Sequence, residues 1–334
     1  MKPLSDPKVD YAFKHVFGRE QSEPVLISLL DAVLQPEPGR QIASLELLNP
    51  FNDKEALDDK LSILDIKARD QNGRQFNIEM QVLGYGAFRE RSLYYWSRLY
   101  QGQLQEGMDY EALRPTIAIC FVDTPLFSDL ADYHLVFELW ERRHRALFTD
   151  QLAVHILELR KFRKSVEELA TPLDRWLYFL RHAQELDLDA LPAPLDVADV
   201  RWALGDLIMI TQSEQDRERY ESRLKAQRDA HALLAEARDA EAKGLAKGLA
   251  KGLAKGLAEG RVEGRVEGRA EGLMRGRQEG WLEARTAQIQ SLQRLLRQNI
   301  TAQEELRALP PAELESLAAR LENELSEKLS NGNQ

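Results

Sequence analysis

Two carboxylates on neighbouring strand-like segments are the groups in this chain best spaced for chemistry. One segment reads Leu61-Ser-Ile-Leu-Asp-Ile-Lys-Ala-Arg69 and the next reads Gln75-Phe-Asn-Ile-Glu-Met-Gln81. The two-residue period of a strand puts Leu64, Ile66 and Ala68 on one face, with Asp65, Lys67 and Arg69 on the other. In the second segment Phe76, Ile78 and Met80 separate in the same way from Asn77, Glu79 and Gln81. The faces must agree across the hairpin. A two-residue Asn72-Gly73 turn pairs positions summing to 145, which sets Lys67 beside Ile78 and exchanges the faces. A three-residue Gln71-Asn72-Gly73 loop, with Gly73 in the left-handed conformation, gives a sum of 144 and sets Asp65 opposite Glu79.

Opposed residues hold their β-carbons about 5 Å apart, and like charges so close need compensation. A divalent cation supplies it. Oxygen ligands completed by water and phosphate suit magnesium, with manganese as the alternative ion. Gln81, on the same face, can orient a water or a phosphate, and Lys67 can bring positive charge to an attacked phosphate. The plain alternative is a polar outer face of a solvated hairpin. Asp and Glu are poor strand residues, however, and the apolar rows beside them suit a strand covered on both faces.

Period and punctuation outline the elements that must carry this pair. Val9, Phe13, Val16 and Phe17 recur at helical spacing before Gly18, and a second helix fits residues 22 to 34, ahead of Pro36 and Pro38. Strands fit 42 to 48, 61 to 69, 75 to 82, 115 to 122, 133 to 140 and 152 to 159, with a helix over 87 to 106. This order predicts an α/β fold, a mixed sheet flanked by helices, as the core over residues 1–160. A helical extension follows over 161–241, broken at Leu191-Pro-Ala-Pro-Leu195, with Trp176, Tyr178 and Phe179 expected to bury their rings. Residues 281–334 read as amphipathic helices, one of them begun by Pro311.

Between these lies an arm, 242–280, in which glycine recurs every fourth residue from Gly244 to Gly280. Four residues of helix turn about 400°, so the glycine row drifts about 40° per unit. Each interior glycine costs roughly 1 kcal/mol relative to alanine. Leu245, Leu249, Leu253 and Leu257 add a winding apolar stripe that a partner chain can cover. Two readings stand: a helical, self-associating arm, which makes the chain a homo-oligomer, or a disordered linker.

Composition narrows the class. The net charge of −10 over 334 residues leaves no general footprint for nucleic acid, so any such contact is local or made through bound cations. The single cysteine, Cys120, sits in the apolar run from Ile117 to Val122 and is expected to be a buried thiol. No disulfide framework, apolar leader or run of 18 apolar residues is present, which predicts a cytoplasmic setting and no membrane span.

Four segments in order, Asp10-Tyr-Ala-Phe-Lys-His-Val-Phe-Gly18, Leu64-Asp-Ile-Lys-Ala68, Asn77-Ile-Glu-Met-Gln81 and Arg91-Ser-Leu-Tyr-Tyr-Trp-Ser-Arg98, resemble the Rpn family of recombination-promoting nucleases. These are often labelled transposases of the PD-(D/E)XK nuclease superfamily, and the resemblance spans residues 5 to 240. It implies a restriction-endonuclease-like fold and magnesium-dependent cleavage of DNA. Asp65 then matches the metal-binding aspartate and Glu79 the glutamate of the second half-motif, while Gln81 stands where a lysine is usual and Leu64 where a proline often precedes the aspartate. Arg91 and Arg98 become candidate phosphate contacts. Asp10, flanked by Lys14 and His15, is a weaker candidate ligand, with a plain helix surface the equal reading. His155 and Glu158 fall on opposite strand faces and do not form a ligand pair. The departure at Gln81 keeps a second function open: a non-catalytic, self-associating interaction protein with a nuclease-like domain.

Overall fold

The structure, a computed structural model, describes residues 4–49, 51–52, 62–63, 65–82, 87–263 and 266–331; Leu64 and Gly264 lie outside the described residues. In chain order the elements are α1 (Asp10–Phe17), α2 (Glu23–Leu34), β1 (Leu45–Leu47), β2 (Phe51–Asn52), β3 (Ser62–Ile63), β4 (Ile66–Asp70) and β5 (Gln75–Gln81). They continue as α3 (Phe88–Gln101), β6 (Thr116–Val122), β7 (His134–Trp140), β8 (Leu147–Glu158), α4 (Pro172–His182) and α5 (Ala198–Gln212). The remainder is helical: α6 (Glu214–Glu263), α7 (Val266–Leu295), α8 (Gln303–Arg307) and α9 (Pro311–Asn331). Two compact units divide the chain, the first reaching Leu224 and the second running from Lys225.

The first unit is built on a six-stranded sheet of order β1-β4-β5-β6-β8-β7. Neighbours β5, β6 and β8 run parallel, while β1-β4, β4-β5 and β7-β8 are antiparallel. Every residue of β6 is buried, as its unbroken run Thr-Ile-Ala-Ile-Cys-Phe-Val requires of a parallel strand covered on both faces. On one face Ile66, Phe76, Ile78 and Phe121 join the apolar sides of α1, α2, α4 and α5 in the main core. On the other, Ala118, Cys120, Val154 and Ile156 pack with Phe88 of α3. This is the mixed sheet flanked by helices that the element order predicts, and it matches the restriction-endonuclease-like fold that the resemblance implies. Trp176 and Phe179 are buried as expected, and Trp176 donates its indole N–H to Ser28 Oγ at 3.2 Å.

Boundaries differ where local contacts decide them. Helix α3 stops at Gln101 rather than near 106, because beyond Gly102 the bonds tighten, Gln103 N–H donating to the Tyr100 carbonyl and Leu104 N–H to the Gln101 carbonyl. Strand β8 starts at Leu147 rather than 152: its first residues pair with Leu139 and Trp140 past a bulge. Leu147 and Phe148 there are exposed, so no burial rhythm marks them as strand.

Over its described residues the glycine repeat is helix, and it folds against itself within the second unit. A β-carbon on Gly248 would lie 2.0 Å from Gly280 Cα, one on Gly252 2.0 Å from Gly276 Cα, and Gly244 faces Ala284. Each pair of positions sums to 528, the signature of antiparallel helices in register. Backbone thus meets backbone where only a hydrogen fits, and this close packing offsets the poor helix propensity of glycine. Over the described residues the chain's own α7 covers Gly244, Gly248 and Gly252 of α6. Leu245, Leu249 and Leu253 remain exposed. Beyond the repeat, Ile289, Leu292, Leu306, Leu314 and Leu321 form a small core of α7, α8 and α9, and Pro311 opens α9 as its position predicts.

Candidate functional site

The β4-β5 register is the one selected by the side-chain faces: Ile66 pairs with Ile78, Lys67 with Asn77, Ala68 with Phe76 and Arg69 with Gln75. Gly73 has φ +81° and donates its N–H to the Asp70 carbonyl at 3.0 Å, while Asp70 N–H closes the loop on the Arg74 carbonyl at 3.0 Å. The Asp70 carboxylate clamps the loop further, accepting from Asn72 N–H at 2.9 Å, Arg74 N–H at 2.8 Å and Arg74 Nε at 2.6 Å.

This clamped hairpin delivers the two carboxylates. The ladder ends at Ile66–Ile78, so Asp65 is not the strand residue opposite Glu79 that the pattern predicts but sits in a bend one step beyond. Its Oδ2 accepts from Met80 N–H at 2.8 Å, and its Oδ1 lies 3.2 Å from Lys14 Nζ. The same ammonium is 2.7 Å from Asp10 Oδ1, and Arg223 Nε lies 4.0 Å from Asp10 Oδ2. Glu79 is partly buried, and its buried Oε1 has no hydrogen-bond partner among the described residues. Gln81 Oε1 accepts from the Arg91 guanidinium of α3. Asn77, on the same face of β5 and 1% exposed, has neither amide atom hydrogen-bonded among the described residues.

Asp65, Glu79, Gln81 and Arg91 therefore come together. Lys67 stands mid-strand across from Asn77, and the ammonium on Asp65 is that of Lys14. Arg98 lies two turns past Arg91, about 10 Å along the helix. Asp10 and Lys14 reach the site from α1, while His15 turns to the other side, its Nε2 3.9 Å from Asp206 Oδ2 on α5. The four-residue spacing of Asp10 and Lys14 already places them on one helix face. Nothing local reveals that this face meets Asp65.

Burial dominates the electrostatics. It pushes Asp65 up to about 7, with Lys14 and the Met80 N–H pulling down and the Asp10 charge pushing up. Glu79 rises to about 8, through burial first and the Asp65 charge second, against Arg91 and Lys14. Burial acts to lower Lys14, yet Asp65 and Asp10 outweigh it and hold the ammonium above the usual lysine range. Cys120, level with Glu79 on β6, is pushed up to about 12 by burial and by the Glu79 charge, which leaves a neutral, inert thiol.

Among the described residues no three His, Cys, Asp or Glu side chains are arranged to hold a metal ion. Magnesium asks for less, commonly one or two carboxylates with water and substrate phosphate. An all-oxygen pair with one orphaned, buried carboxylate oxygen fits that requirement. Elsewhere, His155 shares a 3.0 Å contact with His134, whereas Glu158 accepts from Leu126 N–H and Phe127 N–H at 2.6 and 2.9 Å, so these two do not form a ligand pair.

Among the described residues no helix is long and apolar enough to cross a membrane. A family model described as PD-(D/E)XK nuclease family transposase matches residues 7–237, more than half of the chain. No match was found among curated proteins or among solved structures.

Proposed function

The chain belongs to the PD-(D/E)XK nuclease family transposases, and on that premise we propose that it is a magnesium-dependent endonuclease hydrolysing DNA phosphodiester bonds in recombination or mobile-element biology. The observation that carries this reading is the partly buried carboxylate pair, with Asp65 fixed by Met80 N–H and Glu79 keeping an unpartnered buried oxygen among the described residues. Asp65 and Glu79 hold the ion, magnesium or manganese, which when bound supplies a polarised water and neutralises charge developing on the phosphate. Gln81 positions the attacking water; with its Oε1 taken by Arg91, its Nε2 is the donor end. Lys14 supplies in space the ammonium that the Gln81 position lacks in sequence, and with Arg91 it stabilises the scissile phosphate. Lys67 and Arg98 are assigned to flanking phosphates, which set register without reading bases.

The test is cleavage of supercoiled plasmid by the purified full chain with magnesium, with EDTA, and with Asp65→Ala. Nicking that needs magnesium and vanishes in the variant supports the assignment, and undiminished cleavage by the variant refutes it. Single-stranded DNA and RNA in the same assay decide the substrate. The exposed stripe Leu245, Leu249 and Leu253 supports assembly with a second copy through the C-terminal arm, measured by sedimentation. The same stripe favours the rival reading, a self-associating protein without catalysis. Calorimetry separates the two, because the rival has no use for a metal ion.

A further inference from the structure

Lys14 does more in this geometry than add charge near a phosphate. Its Nζ bridges Asp10 Oδ1 at 2.7 Å and Asp65 Oδ1 at 3.2 Å. Asp65 has its other oxygen committed to Met80 N–H, so the ammonium sits on the oxygen left to face a ligand. The Lys14 ammonium, with the Arg91 guanidinium near Glu79, compensates this cluster incompletely. Glu79 Oε1 stays buried without a hydrogen-bond partner among the described residues, and an orphaned buried acceptor is costly. Asn77, two residues earlier on the same face, adds two more unpartnered atoms under α3. The cluster thus keeps unmet hydrogen-bonding demand on its Glu79 side while a tethered monovalent cation occupies its Asp65 side.

We propose that Lys14 is a built-in stand-in cation, which occupies the Asp65 side of the metal site in the metal-free protein and is displaced when a divalent ion binds Asp65 and Glu79. The inference rests on the metal-binding reading above. Displacement is feasible for this side chain: it is 36% exposed, and lysine is a point charge on a flexible four-carbon stem that regains hydration when it swings out. Arg223 Nε, 4.0 Å from Asp10 Oδ2, keeps Asp10 compensated after the ammonium leaves. Metal binding and release of the lysine then become one event. The ammonium is turned toward the phosphate only once the ion is in place, and in the metal-free protein Asp65 keeps a countercharge.

Two measurements on the full chain test this. In the first, magnesium chloride is titrated by calorimetry into the wild type, Lys14→Met and Lys14→Arg. If the lysine-off state is populated at about one tenth, removing the ammonium tightens magnesium about tenfold, and Arg, which keeps the charge, leaves affinity near wild type. In the second, amine acetylation is followed by mass spectrometry on the wild type with and without magnesium, which needs no variant to fold. Lys14 is expected to label faster with magnesium present. Equal or weaker affinity in Lys14→Met, or slower labelling of Lys14 with magnesium, overturns the proposal. If wild type and Lys14→Met bind magnesium equally, the metal site stands and only the stand-in role falls. If neither takes up magnesium, the metal reading fails and this inference with it.

Discussion

The hairpin that presents Asp65 and Glu79 and the hairpin made by α6 and α7 both fold the chain back on itself in register, yet they use opposite chemistry. In the first, polar side chains are met by named groups from neighbouring elements, Asp65 by Met80 N–H and by Lys14 of α1, and Gln81 by Arg91 of α3. In the second, side chains are deleted every fourth position so that backbones touch, Gly248 on Gly280 and Gly252 on Gly276. One region stores unmet electrostatic demand, which is a resource for chemistry. The other has none to store, and its specificity is steric.

That contrast is breakable, beginning with its largest consequence. Asp65→Ala should lower magnesium-dependent cleavage by about 10³-fold, the equivalent of several kcal/mol of lost metal stabilisation, with near-native melting. A variant that is both inactive and unfolded would show Asp65 to be structural first.

Next comes pH. Asp65 and Glu79 sit at about 7 and about 8 in the folded chain, above their ordinary 3.8 and 4.5. Groups raised in this way bind protons better when folded. Their contribution is complete below about pH 4 and is lost as pH climbs through 7 to 8. In EDTA, the first unit should therefore lose on the order of a few kcal/mol between pH 5 and pH 9, with magnesium flattening the decline. Thermal melts across that range check it, and a flat profile in EDTA would mean the carboxylates are less confined than their surroundings imply.

The steric half of the contrast predicts that Gly248→Ala destabilises the second unit by about 1–3 kcal/mol, because the new methyl meets backbone that has no rotamer with which to yield. Proteolysis within residues 225–334 should quicken while plasmid cleavage stays unchanged. The smallest effect has the opposite sign. Gly205, interior to α5, has nothing within 4 Å of its would-be β-carbon, so Gly205→Ala should raise stability by about 0.5–1 kcal/mol. Equal responses at Gly205 and Gly248 would erase the distinction between a tolerated glycine and a required one.

By itself the sequence determined what local rules govern. Strand period separates Asp65 and Glu79 from Ile66 and Ile78, and a one-residue slip would invert every face, so the loop with Gly73 left-handed follows from side-chain types alone. The fold class follows too, since helix, strands, helix and strand in that order leave few ways to cover a sheet. Tertiary structure decided the rest. Asp10 and Lys14 share a helix face in sequence, but only the packing of α1 in the core over β4 and β5 brings that face to Asp65, some fifty residues away in the chain. The glycine repeat is nearly translationally symmetric, so each unit looks like the next and none names its partner. The reversal between α6 and α7, which sets Gly248 on Gly280, comes from the whole chain, because close backbone contact needs two helices and a local pattern describes only one.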